Sequence, residues 1–403
     1  MSPVPTVRLR IYPDDCDAYG HVNQAAFLRM FERARWEAIA LGPGTDVFTR
    51  AAAWPAIRRA SVEYYEPAFP GELLRFDLVL THLGRTSFSM HQTVRREAGG
   101  AIIAAGQFVG VCIDHHGRPT PIPEAMTQFL GVRPSTPGGE VRHFVVRGAA
   151  TAVDVEGDGQ AVLFVHGFPF DRTMWRAQLT NLGGFSRIAP DLRGFGLTDP
   201  PPERWTLADY ADDLVWILDQ VGVERTVVCG LSMGGYIAFE LWRRHRKRIC
   251  GLILASTRPE PDTAEGKKRR DEMIELVRRS GPGAVVDAML PKLLAPATLD
   301  GQPQIAAHVR TMIADSSASG MMSAIVAMRE RSDSTPLLSS IDVPTLVVAG
   351  AADALIPADA QRALAHAITN AQFESVPDAG HLAPLEQPDR FNRTVAAFLN
   401  SMR

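Results

Sequence analysis

The sequence predicts two units of different fold class: an α+β unit, in which an antiparallel sheet packs around one long helix, and then an α/β unit with a mostly parallel sheet. Three observations carry this reading. The chain has 403 residues, more than a single hydrophobic core usually serves. The stretch from Gly131 to His143, with Pro134, Pro137, Gly138 and Gly139, interrupts helix and strand alike. The order of elements also differs on its two sides: one helical stripe and then strands before it, strand–loop–helix repeats after it. The boundaries that follow are 1–131 for the first unit, 132–142 for a linker and 143–403 for the second unit.

In the first unit a strand is expected over Thr6 to Tyr12, followed by a helix. Phe27, Phe31, Ala34, Ala38 and Leu41 fall at i, i+4, i+7, i+11 and i+14, one apolar helical face that Gly42 and Pro43 bring to a stop. The segments RRASVEYYEPAF, GELLRFDLVLTHL, TSFSMHQTVRR and AIIAAGQFVGVCID then read as strands separated by Pro/Gly or Gly-Gly turns. In the second unit AVLFVHG, RTVVCG, GLILAST and PTLVVAG are short apolar runs of the kind found in parallel strands covered on both faces. Between residues 257 and 336 strands give way to amphipathic helical segments, read as a lid. Its charged run AEGKKRRDEMIELVRRS is expected to be a solvated helix face.

Composition excludes several function classes. With 46% hydrophobic and 22% charged residues, and 42 basic against 45 acidic side chains, the chain has neither the basic surplus expected of a nucleic-acid binder nor that of a protein of anionic membranes. The N-terminus lacks a basic segment leading into an apolar one, and no window approaches the roughly 18 apolar residues of a membrane span, so a cytoplasmic location is expected. Cys16, Cys112, Cys229 and Cys250 are widely spaced and read as reduced thiols. No clustered His, Cys and carboxylates show ligand spacing, so neither a metal nor an organic cofactor is expected.

The stretch VVCGLSMGGYIAFELWRRH places Ser232 between glycines at the joint of a strand and a helix, fitting the pattern G-x-S-x-G in its required context. A serine hydroxyl needs a base, and the base an orienting acid. Asp353, after PTLVVAG, and His381, in VPDAGHLAP, follow in the chain order Ser, Asp, His. Asp353 would fix the tautomer of His381, and His381 would take the Ser232 proton and return one to the leaving group. Backbone amides of Phe168, after VLFVHG, and of Met233 are the candidate oxyanion donors, worth roughly 3 kcal/mol each. The alternative is that His166-Gly167 forms only a turn.

Together HGFPFDRTMW, PDLRGFGLTD, GLSMGG, GAADALIP and GHLAPLEQP resemble the α/β-hydrolase superfamily, in its esterase and 3-oxoadipate enol-lactone hydrolase-like branch. The resemblance covers residues 143–403 and implies serine-dependent hydrolysis of an ester or lactone. Perhydrolase or acyltransferase chemistry uses the same machinery and stays open. Asp191 and Arg193 read as loop-building residues near the site.

In YPDDCDAYGHVNQAAFLRMFERARWE a carboxylate, a histidine and an asparagine stand just before a helix. Local physics offers a plain account, with Asn23 as helix cap and Gly20 in the turn. The first unit also resembles hotdog-fold acyl-CoA thioesterases of the 4-hydroxybenzoyl-CoA thioesterase-like group, through DxDAxGHVN and the aromatic-rich helix after it. That resemblance implies Asp17 as nucleophile or general base toward a thioester and His21 and Asn23 as substrate- or water-positioning residues. It also implies an oxyanion held by amides near Asn23 and Gln24, where Gln24 departs from the group's second Asn. Hotdog sites usually form between two copies, so a homo-oligomer, at least a dimer, is implied. Arg58, Arg59, Arg85, Arg95 and Arg96 are positioned to be considered for CoA phosphates and are left unassigned.

The expected protein is therefore a bifunctional hydrolase, cleaving an acyl-CoA in the first unit and an ester or lactone in the second. In the competing reading the hotdog unit is a non-catalytic acyl-binding or oligomerisation module and only Ser232 reacts.

Overall fold

The stripe around Phe31 forms a helix, Gln24–Leu41, capped by the Asn23 side chain, which accepts from the Ala25 amide at 2.7 Å. Such a cap stabilises a helix by about 1 kcal/mol. Ala26, Phe27, Met30, Phe31, Ala34 and Ala38 are buried. Phe31 meets Phe76 edge-on at 5.8 Å and Phe108 at 5.2 Å, so the helix is anchored to the sheet by aromatic contact. Leu41, expected on the same face, is 68% exposed, because the helix ends there and Gly42 turns the chain away.

The computed structural model describes residues 5–83, 86–129, 140–201 and 205–402. They belong to two units, Met1–Ser135 and Thr136–Arg403. Most of the segment 132–142, and Arg85, lie outside the described residues; the first strand of the second unit begins at Glu140, inside that segment.

The first unit carries a five-stranded antiparallel sheet of β1 (Val7–Arg10), β2 (Trp54–Tyr64), β3 (Leu73–Leu83), β4 (Ser87–Arg96) and β5 (Ile102–Ile113), in the order β1-β3-β4-β5-β2. β2 is an edge strand of 11 residues. It begins upstream of the RRASVEYYEPAF segment, at Trp54, and Trp54, Ile57 and Tyr64 on it are exposed.

The second unit carries an eight-stranded sheet of β6 (Glu140–Val146), β7 (Ala149–Glu156), β8 (Ala161–Val165), β9 (Ser186–Pro190), β10 (Thr226–Leu231), β11 (Ile249–Ala255), β12 (Thr345–Gly350) and β13 (Ala371–Val376). The order is β13-β12-β11-β10-β8-β9-β7-β6, parallel from β13 to β9 and antiparallel through β7 and β6. Strands β8, β10 and β12 are buried at every residue, which accounts for their near-continuous apolar sequences. β8 pairs with β9 on one side and β10 on the other, so the chain changes direction across the sheet at β8. A crevice opens at the carboxyl ends of the strands flanking such a switch. Five helices, Ala264–Ser280, Gly283–Leu293, Pro296–Gly301, Pro303–Ala314 and Ala318–Arg329, stand between β11 and β12. Among the described residues no helix is long and apolar enough to cross a membrane.

Candidate active sites

Strand β10 ends at Leu231, and Ser232 follows with a φ of 53° and ψ of −111° that cost about 1–3 kcal/mol for a residue with a side chain. Neighbouring bonds hold it there. Its amide donates to the Ala255 carbonyl at 2.9 Å, and its own carbonyl accepts from the Gly235 amide and the Thr257 hydroxyl, each at 2.9 Å. The glycines of the turn are required by close approach: a Cβ on Gly230 would lie 2.3 Å from the Gly234 oxygen, and one on Gly234 would lie 2.2 Å from the Val165 oxygen. Ser232 is thereby presented at the start of helix Met233–His245.

Asp353 follows β12 and His381 follows β13, both beyond the carboxyl ends of parallel strands. His381 Nδ1 lies 3.0 Å from Asp353 Oδ2 and 3.2 Å from Oδ1, with both side chains buried. Asp353 also accepts from the Leu355 and Ile356 amides at 2.9 and 3.0 Å. Burial pushes its carboxyl up, but His381 and these amides outweigh burial and hold it below the ordinary value. Ser232, His381 and Phe168 line one cavity of about 440 Å³. Phe168 follows β8, and a Cβ on its neighbour Gly167 would come within 3.4 Å of Ser232 Cβ, so that backbone runs against the turn at Ser232. Met233 is the first residue of its helix, where a backbone N–H has no partner within the helix.

Asp191 and Arg193 build the neighbouring loop. Asp191 accepts from Arg172 Nη1 at 2.6 Å and from the Leu197 amide at 2.7 Å. Arg193 binds Asp213 at 2.6 Å and stacks over Trp205 at 4.3 Å. His166 is buried, accepts from the Leu192 amide through Nε2 at 2.9 Å and lies 3.0 Å from the Gly167 oxygen through Nδ1. Burial lowers it to about 4, so it is a neutral strut at pH 7.

One residue escaped the sequence reading. Glu386, buried, accepts from the Gly380 and Leu382 amides at 2.8 and 3.2 Å, the two that flank His381. It also accepts from the Ala295 amide and the Thr298 hydroxyl, each at 2.7 Å, in the helical insertion. The His381 amide itself donates to Leu293 O at 3.0 Å. The histidine loop is thus stitched to the insertion. The only local signal is a carboxylate five positions after His381 in HLAPLEQP.

In the first unit Asp17 and His21 do meet, with Asp17 Oδ2 3.4 Å from His21 Nδ1. Asp17 Oδ1 accepts from the Tyr19 amide at 2.9 Å, and the Asp17 amide donates to His21 O at 3.0 Å, so a tight loop carries the pair. The pair is open to solvent, with side-chain exposures of 26% for Asp17 and 42% for His21. Asn23 spends its side-chain oxygen on the helix cap, and Gln24 is the exposed first residue of that helix. A separate apolar cavity of about 470 Å³ is lined by Trp36, Phe88, Phe108 and Met126 among others; Asp17, His21, Asn23 and Gln24 are not part of its wall. Arg96 is occupied by Glu66 and Glu72 at 2.8 and 3.1 Å. Among the described residues no group of three or more His, Cys, Asp or Glu could hold a metal ion.

Comparison with known proteins bears on both units. Residues 162–394 match the Alpha/beta hydrolase family, and residues 11–130 match the Thioesterase-like superfamily. A thermophilic esterase from Thermogutta terrifontis, solved with malate bound, is similar at 40% identity and a TM-score of 0.64, over 65% of this chain and 99% of that one. The enol-lactonase from Burkholderia xenovorans LB400 is 27% identical with a TM-score of 0.61, over 64% of this chain and all of that one. The AB hydrolase superfamily protein YisY from Bacillus subtilis is 30% identical over 255 residues, 61% of this chain and 93% of its own length.

Proposed function

Given that this chain belongs to the α/β hydrolase family and carries a thioesterase-like hotdog domain at its N-terminus, we propose that it is a bifunctional hydrolase, with a serine-dependent ester or lactone hydrolase in its second unit and an acyl-CoA thioesterase in its first. The carrying observation is the buried Asp353–His381 pair at 3.0 Å, whose histidine lines the cavity that Ser232 also lines. The relatives' names, esterase and enol-lactonase, support a carboxylic ester or lactone as substrate.

In this mechanism Ser232 Oγ attacks the carbonyl carbon as His381 Nε2 removes its proton. The carbonyl oxygen becomes an oxyanion that accepts from the Phe168 and Met233 amides. Collapse breaks the bond to the leaving alkoxide, to which His381 returns the proton, and leaves an acyl-enzyme on Ser232. Water then gives a proton to His381 and attacks the acyl carbon; the acid departs and Ser232 Oγ is reprotonated. Asp353, kept ionised by His381 and by its amide donors, steadies the imidazolium throughout.

For the first unit, the solvent-open Asp17–His21 pair and the exposed edge strand β2 support a site completed by a second copy of the chain. An 11-residue edge strand paired only with β5 and bearing the exposed Trp54, Ile57 and Tyr64 is a ready surface for pairing. The test is to assay Ser232→Ala and Asp17→Asn separately on 4-nitrophenyl esters and on acyl-CoAs. Each substitution is expected to remove one activity only; loss of both to a single substitution would refute the two-site reading, and an Asp17→Asn chain with unchanged thioester cleavage would leave the hotdog unit as a binding or oligomerisation module.

A further inference from the structure

Two arginines of helix Gln24–Leu41 stand two positions apart in opposite circumstances. Arg33 is exposed and bonded to Glu37 at 2.8 Å, an ordinary surface pair. Arg35 is half-buried and lines the apolar cavity of about 470 Å³ in the first unit. Its Nη1 donates to Gln92 Oε1 at 2.7 Å, and its guanidinium lies 4.5 Å from the centre of the Phe108 ring. Both partners are neutral. Gln92 is itself fixed, because its Nε2 donates to the Phe31 carbonyl at 3.2 Å, so it holds the guanidinium in place without balancing its charge.

Among the described residues no carboxylate makes an ion pair with Arg35, and the single carboxylate in the cavity wall is Glu32, one turn earlier and exposed. Burial lowers the guanidinium to about 10 against the opposing pull of Glu32: water has been withdrawn from a cation with no anion put in its place. The remaining wall is apolar, with Trp36, Phe48, Phe88 and Met126 facing the same space as Phe108. An apolar enclosure with one convergent charged group is the general form of a small-molecule site, and the volume lies within the roughly 300–1,000 Å³ of such sites. Apolar surface supplies the affinity there, and the charge sets the orientation.

We infer that this cavity binds a small carboxylic acid with an aromatic or alkyl body, its carboxylate on Arg35 and its body against Trp36 and Phe88. The planar guanidinium fork matches a carboxylate. A single guanidinium balances one negative charge, which suits a carboxylate and falls short of a phosphate dianion, and Glu32 stands against a second negative charge. The inference stands on the geometry of the first unit alone and needs neither Ser232 nor Asp17, which are no part of that wall.

The test is calorimetric titration of the wild-type chain with 4-phenylbutyrate and with 4-phenylbutanamide, which share a body and differ in charge. The acid is expected to bind about tenfold tighter or more, the size of one charge-assisted hydrogen bond, with the gap narrowing as salt is raised. Arg35→Met should close the gap while the amide keeps its affinity, which also shows that the pocket is still formed. Glu32→Gln, at an exposed position, should widen the gap by about twofold, and it keeps the test open should Arg35→Met fail to fold. Equal affinity of acid and amide for the wild type, or binding of neither, would overturn the site. An acid preference that neither substitution moves would do the same, because the acid would then sit elsewhere in the chain. Tighter binding of phenethyl phosphate than of 4-phenylbutyrate at pH 7.5 would overturn the carboxylate assignment.

Discussion

The two units place a carboxylate beside a histidine in opposite surroundings. Asp353 and His381 are buried, bonded at 3.0 Å and fixed by amides on each partner's loop. Asp17 and His21 are 3.4 Å apart on an open loop, away from the apolar cavity of their own unit. The first arrangement is enclosed by residues of one unit, with His381 in the wall of the cavity that Ser232 also lines. The second has the residues but not the enclosure, and an exclusion of water is what makes electrostatic stabilisation strong. The comparison teaches that the same two residue types are enclosed in one unit and open in the other, which is why the proposed function asks for a second copy only in the first.

The largest effect that would break this contrast lies at Asp353. Asp353→Asn keeps the shape but releases His381 from its tautomer and removes the imidazolium's counter-charge, so kcat for ester hydrolysis is expected to fall about 10⁴-fold, read by steady-state kinetics. Asp17→Asn should leave that rate untouched. Next comes Glu386→Ala, which strands the Gly380, Leu382 and Ala295 amides and the Thr298 hydroxyl in a buried site. A loss of about 3 kcal/mol in denaturant unfolding is expected, together with a fall in kcat larger than any rise in KM, because the residue acts through the His381 loop. A kcat unchanged in the folded variant would contradict the coupling.

A smaller effect sharpens the contrast through pH. His166 in the second unit is lowered by burial from 6.5 to about 4, and His91 in the first is lowered by burial and by Arg95 to about 3. Below pH 6.5 the unfolded chain takes up protons that the folded units refuse, so stability falls as pH drops, by up to about 3 kcal/mol per histidine as pH nears 4. Asp353, held below its ordinary value, adds a loss of the same sign at still lower pH. Thermal unfolding from pH 7.5 to 5 should show both units weakening, and His166→Gln should flatten only the second unit's slope. The smallest expected change is in the fold itself: Ile57→Lys on β2 should alter monomer stability by about 0.5 kcal/mol or less. It should nevertheless make sedimentation show a lower assembly state and reduce thioester cleavage while ester cleavage persists.

Much of this was legible in the sequence, for identifiable reasons. Ser232 and Asp353 each follow a short apolar strand, and His381 comes after them in a Gly-His turn, so the order Ser, Asp, His is a pattern the sequence shows. The helix at Phe31 was readable from period alone up to Ala38, and Leu41 misled because the stripe runs one turn beyond the sheet that covers it. Glu386 was hidden because two of its partners lie 91 and 88 residues away in the chain. The charged helix Ala264–Ser280 reads as a solvated face, yet its Arg269 and Arg270 line the cavity with Ser232, because periodicity separates two faces but does not say that a cationic one meets a cavity. Strands β6, β9 and β13 carry no strong local signal, and β13, at the sheet edge, is largely half-buried.

The most direct test of the proposed serine site is to quench the chain seconds after mixing with an activated ester and locate the label by peptide mass spectrometry. The account predicts one acyl group per chain on Ser232, accumulating further in a slow-deacylating variant and absent from Ser232→Ala. Ester turnover with no label at Ser232, or with the label unchanged in Ser232→Ala, would contradict it.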